Sequence, residues 1–137
     1  MRTLTVAAKT ERLSQVLGLI EQEMAAARAG EQVTMQVLVS AEELFVNVAS
    51  YAYGGHEGEV TVSCDVVDDV ITICFEDTGM PFDPVEKEDP ELTEEAHHQR
   101  IGGLGILLVK RTMDSIHYER KDGRNRTAIT KRITRDE

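Results

Sequence analysis

Glu43-Leu44-Phe45-Val46-Asn47, then Asp77-Thr78-Gly79-Met80-Pro81-Phe82-Asp83-Pro84, then Gly102-Gly103-Leu104-Gly105 are the stretches around which this chain organises itself. The first lies where Leu38, Ala41, Leu44/Phe45, Val48 and Ala52 recur at three and four, which predicts a helix over roughly 34–53 stopped by Gly54-Gly55. Glu43 and Asn47 fall off that apolar stripe and, four apart, project side by side. The second stretch closes a β-rich run, 70–77, that is apolar on both faces. The third opens the run Ile106-Leu107-Leu108-Val109 and predicts another helix from about Gly103 to Met113.

Working outward, Leu13, Val16, Leu17, Ile20 and Met24 predict an amphipathic helix that begins near Thr10 and stops at Gly30, after a short first strand. Residues 59–66 alternate, with Val60, Val62, Cys64 and Val66 on one face, and Asp68-Asp69 turns them into the 70–77 strand. Strands near 115–121 and 126–133 are joined through Asp122-Gly123. Between Thr78 and Gly102 there is no period, and seven acids fall between Asp83 and Glu95. A loop of that length in a small domain is usually functional or disordered, and this composition favours disorder without a ligand. The order β-α-α-β-β-α-β-β predicts an α+β fold, a two-layer α/β sandwich. A mixed, mainly antiparallel sheet of about five strands would carry three helices on one face, with a ligand between the layers under the 78–102 loop.

The chain has 137 residues, 41% of them apolar, which suits one domain, 1–137, with a real core. No run of about 18 apolar residues is present, so neither a membrane span nor a leader is expected and the predicted location is cytoplasmic. Cys64 and Cys74 read as small buried hydrophobes in a reducing compartment. The net charge of −10 argues against nucleic acid as a partner. The charge is uneven: residues 1–99 hold 20 acids and 5 bases, and residues 100–137 hold 10 bases and 5 acids, so an anionic ligand sits more easily against the second part unless both are simply solvated faces.

Glu43 has the chemistry of a general base, and a neutral Asn47 amide oxygen can hold Mg²⁺ without repelling phosphate, although any wet helix face can carry such a pair. Asp77, at the end of an apolar strand, wants a donor. The exocyclic amine of adenine is one, and a turn aspartate capping its own loop is the plainer reading. Gly79 lets the backbone turn tightly, and Phe82 is expected to pack inward. Gly102, Gly103 and Gly105 expose amides at a helix start, a natural phosphate site or else a hinge, and Arg100 just before them reaches a terminal phosphate or is one more surface base. Together these residues are what a protein needs to hold Mg-ATP without a Walker loop.

In their order, Glu-x-x-x-Asn, Asp-x-Gly-x-Pro-Phe-Asp-Pro and Gly-Gly-Leu-Gly resemble the N, G1 and G2 boxes of the Bergerat-fold (GHKL) ATPases, which include gyrase, histidine kinases and the heat-shock chaperone. More narrowly, Pro81–Pro84, the run from Ile101 to Lys110 and the closing Asn125-Arg-Thr-Ala-Ile-Thr-Lys131 resemble the small serine-protein kinases that double as anti-sigma factors. The resemblance implies Glu43 as base, Asn47 as Mg²⁺ ligand, Asp77 as adenine reader, Gly79 shaping the base pocket, and Gly103 and Gly105 supporting the phosphates of ATP. Thr127 matches a position near the adenine. Implied partners are an anti-anti-sigma (STAS-domain) protein, phosphorylated on serine or threonine, and possibly a sigma factor, with a possible homodimer. Many members carry a basic residue or His where this chain has Tyr51; Tyr51 and Tyr53 read as helix-end packing. None of His56, His97, His98 and His117 lies in a phosphoacceptor segment, which excludes a complete histidine kinase. The rival reading is a non-catalytic, ATP-gated protein-binding module in bacterial signalling, with Glu43 idle. A third is an ATP-binding domain serving a larger signalling system.

Overall fold

A computed structural model describes residues 1–85 and 103–136. Strand β1 (Arg2–Ala7) leads through a 3-10 turn, Thr10–Arg12, into α1 (Leu13–Ala26), and α2 (Glu31–Asn47) runs on into a π-helical turn, Val48–Ala52. Hairpin β2 (Glu59–Val67) and β3 (Val70–Asp77) follows, then α3 (Gly103–Thr112) and a second hairpin, β4 (Ser115–Lys121) and β5 (Arg124–Arg132). Among the described residues no helix is long and apolar enough to cross a membrane.

The strands form one sheet in the order β1-β2-β3-β5-β4, and every pairing in it is antiparallel. The expected mixed sheet is thereby corrected. Strands β3 and β4, joined through the single helix α3 and hence a natural parallel pair, are held apart by β5, and β1 and β2, joined through two helices, pair antiparallel. Each hairpin turns through residues with positive φ, Asp68 and Asp69 in one and Asp122 and Gly123 in the other, which matches the twist of the flanking strands.

Alternation along the strands sends one set of side chains to the helices. Val60, Val62 and Cys64 of β2, Ile71, Ile73 and Phe75 of β3 and Ile129 of β5 join Val16, Ile20 and Met24 of α1 in the core. The same cluster takes in Val37, Ala41, Leu44 and Phe45 of α2 and Ile106 and Val109 of α3. Both thiols are free and buried, as the sequence suggested.

Two helix boundaries differ from expectation. Helix α1 ends before Gly30, because Arg28 takes the left-handed conformation (φ 58°). The Arg28 amide donates to Ala25 O and the Ala29 amide to Met24 O, both at 3.0 Å, closing a Schellman cap. Gly30 instead starts α2, where the distant Asp136 accepts the Glu31 amide at 3.1 Å. At its other end α2 widens into the π-turn, and the Ala52 carbonyl there accepts the Met80 amide at 2.6 Å. The end of α2 is thus tied directly to the loop after β3.

Candidate functional site

Side chains from α2, β3 and β5 and from the loop after β3 enclose a pocket between the two layers. Leu44, Val48, Ala52, Phe75, Phe82 and Pro84 supply its apolar wall, and Asn47, Asp77, Asn125 and Thr127 its polar groups. Its interior volume is about 20 Å³, room for a water molecule or so. Phe82, expected to pack inward, is half-buried: it lines the pocket and stacks on the exposed Tyr51 with ring centroids 5.5 Å apart. Tyr53 also packs at the helix end: its hydroxyl donates to Glu59 O and accepts the Thr78 amide.

Asp77 is the polar centre of the pocket. It is 5% exposed, and its Oδ1 accepts the Gly79 amide at 2.8 Å and Asn125 Nδ2 at 2.9 Å. Its Oδ2 has no hydrogen-bond partner among the described residues and remains an acceptor in a residue that lines the pocket. The loop-capping and ligand readings of Asp77 are thus compatible, one oxygen for each. Gly79 itself packs onto the Ala52 carbonyl, where a Cβ would clash with backbone atoms. Its lack of a side chain serves that contact directly.

Asn47 is buried, not on a wet face, because it lines the pocket between α2, the sheet and the loop after β3. Its Nδ2 donates to Glu43 O at 2.8 Å, and its Oδ1 has no hydrogen-bond partner among the described residues. One neutral oxygen suits Mg²⁺, a cation that keeps several waters and takes much of its shell from phosphates. Among the described residues no group of three or more His, Cys, Asp or Glu forms a metal cage, so a phosphate-borne ion is the kind this donor set fits.

Glu43 lies one turn earlier with its carboxylate against Gly105 in the first turn of α3, where a Cβ would collide with Oε2. Partial burial, and secondarily Glu42, hold its carboxyl above the ordinary 4.5. That tunes a carboxylate toward proton acceptance. Gly105 thus makes room for the Glu43 carboxylate, and Gly103 begins α3. Thr127, 7% exposed, pairs in register with Phe75 and lines the pocket with Asp77. Arg100 and Gly102 fall outside the described residues.

Sequence reasoning missed Asn125. Its Nδ2 donates to Asp77 and to Met80 O at 2.7 Å, while its Oδ1 accepts the Tyr118 hydroxyl and Arg120 Nη1 at 3.1 Å. An Asn two and four residues before Thr127 and Ile129, on the inward face of β5, was the available signal.

The family model described as histidine kinase-like ATPase domain matches residues 6–131. The chain belongs to that family. A serine-protein kinase RsbW of Listeria innocua is 30% identical over 128 residues, 88% of this chain and 80% of that protein. The serine/threonine-protein kinase BtrW of Bordetella bronchiseptica is 26% identical over 91 residues, 66% of this chain and 64% of that protein. Two solved structures carry the same histidine kinase-like fold. The RsbU and RsbW domains of a Mycobacterium tuberculosis protein superpose with a TM-score of 0.69 at 13% identity, over 99% of this chain and 34% of that longer one. The SiaB–SiaC complex from Pseudomonas aeruginosa gives 0.59 at 17% identity, over 97% and 90%.

Proposed function

We propose that this chain is an ATP-dependent protein-serine/threonine kinase of the anti-sigma type. It acts in the cytoplasm on a small anti-anti-sigma protein of the STAS class and regulates transcription by partner switching with a sigma factor. The observation that carries the reading is that Asn47 and Asp77 line one pocket while Glu43, one turn before Asn47 on α2, has its carboxylate against Gly105 in the first turn of α3. Kinase names among the relatives support the reaction class.

In this reading the Asp77 carboxylate would accept the adenine amine, Thr127 would flank the base, and Asn47 Oδ1 would hold Mg²⁺. When bound, Mg²⁺ neutralises phosphate charge. Glu43 takes the proton from the partner's hydroxyl as its oxygen attacks the γ-phosphorus, and ADP leaves. Gly103 and Gly105 open a helix whose amides attract phosphate oxygens.

Calorimetric titration with ATP, with and without Mg²⁺, tests the site, and transfer of labelled phosphate to a STAS-domain protein tests the chemistry. Asp77→Asn is expected to weaken ATP binding. Glu43→Ala is expected to keep ATP binding and to lose transfer. Tight ATP binding with no phosphorylated partner would favour an ATP-gated binding module, and failure of Glu43→Ala to bind ATP would give Glu43 a structural role.

A further inference from the structure

We infer that Asn125 is a positioning residue that sets base selectivity, by holding the Asp77 carboxylate so that one oxygen faces the nucleotide as an acceptor. The inference rests on the adenine placement proposed above. Asn125 is 4% exposed, sits opposite Asp77 in the β3–β5 register, and has all four hydrogen-bonding positions of its amide engaged. Both donors point at acceptors, the Asp77 carboxylate and the Met80 carbonyl. Both acceptor positions face donors, Tyr118 and Arg120.

Turning the amide over would set oxygen against oxygen on one side and N–H against N–H on the other. The orientation is therefore locked by three partners that cannot exchange roles, the Asp77 carboxylate, Met80 O and Arg120 Nη1, and the Tyr118 hydroxyl donates in keeping with them. Arg120 reinforces the lock, since the same Nη1 donates to Gly79 O at 2.7 Å and so fixes the turn that supplies the second donor to Asp77.

With two donors on Oδ1, the carboxylate cannot rotate without losing both, and Oδ2 is presented as an acceptor only. Such a site welcomes an exocyclic amine and meets a 6-oxo group acceptor to acceptor. Rejection by an unpaired polar group is stronger than rejection by shape alone. Discrimination between 6-amino and 6-oxo purines thus depends on a residue that does not itself need to touch the base.

The test compares ATP and ITP affinities by calorimetry in the full chain carrying Asn125→Asp. That change keeps the volume and the acceptor toward Tyr118 and Arg120 but removes the donors toward Asp77 and Met80. The expected result is ATP binding weakened by about tenfold or more and an ATP:ITP preference reduced by a similar factor. A preference equal to wild type, whether or not both affinities fall together, would overturn the inference, because a merely structural role weakens both nucleotides alike. Arg120→Met serves as the second variant, at an exposed position: a reduction of about threefold in the preference is expected, and an unchanged ratio counts against the lock. Asp77→Asn separates the two levels. If that variant binds ATP as wild type does, the adenine placement itself has failed. If it does not, and Asn125→Asp discriminates normally, only the present inference has.

Discussion

The Glu43 carboxylate rests on the α-carbon of Gly105, so that the proposed base on α2 and the first turn of α3 occupy one site through the absence of a side chain. Loss of that space and loss of fold are separable. In Gly105→Ala the clashing atom is the mobile end of a glutamate, which can swing away, and Ala favours the helix by up to about 1 kcal/mol. The variant is expected to melt at or above the wild-type temperature while phosphate transfer falls by about a hundredfold through displacement of the base. Thermal unfolding and a single-turnover transfer assay read the two effects, and an unchanged transfer rate would show that the Glu43 position is immaterial.

The raised carboxyl of Glu43 has a pH signature. Burial is the larger cause and the Glu42 charge the smaller. A carboxyl that binds its proton more tightly in the folded state than in the unfolded chain favours folding below about 4.5, and that contribution is lost as pH rises through the folded value. Transfer runs the opposite way, because only the ionised base accepts a proton, so the acid limb of the rate profile is expected above the ordinary carboxylate range. Glu42→Gln is expected to move that limb down part of the way, leaving the portion due to burial. An initial-rate profile that does not move would exclude Glu42 as a contributor.

Local signals carried most of the fold. Val60, Val62 and Cys64 all face inward as their alternation required, and Asp68-Asp69 and Asp122-Gly123 turn their hairpins through positive φ. Long-range packing was not legible. Asn47 reads as a wet residue one turn from Glu43 until the sheet and the loop after β3, some thirty residues later, enclose it in the pocket, and nothing local announces that burial. Asn125 was missed for the same reason: its role exists only through a β3–β5 register that brings it opposite a carboxylate 48 residues away. The stop at Gly30 failed because Arg28 adopts a backbone conformation that propensity assigns to glycine.

Ser40 is fully buried on α2, and its Oγ has no hydrogen-bond partner among the described residues. An unpaired buried hydroxyl costs desolvation without return, and Ala is the better helix former. Ser40→Ala is expected to stabilise the protein by up to about 1 kcal/mol, read as a higher urea midpoint with an unchanged slope. Destabilisation would mean that the hydroxyl is satisfied in solution.

Arg28 closes the α1 cap at φ 58° with both Schellman hydrogen bonds in place. For an L residue with a Cβ that conformation is disfavoured, and glycine adopts it freely. The native bonds ask nothing of the arginine side chain, since both donors are backbone amides. Arg28→Gly is therefore expected to raise stability by about 0.5–1 kcal/mol, even though glycine gains conformational freedom in the unfolded chain, because relief of left-handed strain exceeds that loss. The site lies at the α1–α2 junction, outside the pocket-lining residues, so ATP affinity is expected to stay at the wild-type value. Parallel urea unfolding and ATP titration of the variant check both halves, and a lower midpoint would show that the arginine side chain contributes more at this junction than its backbone conformation costs.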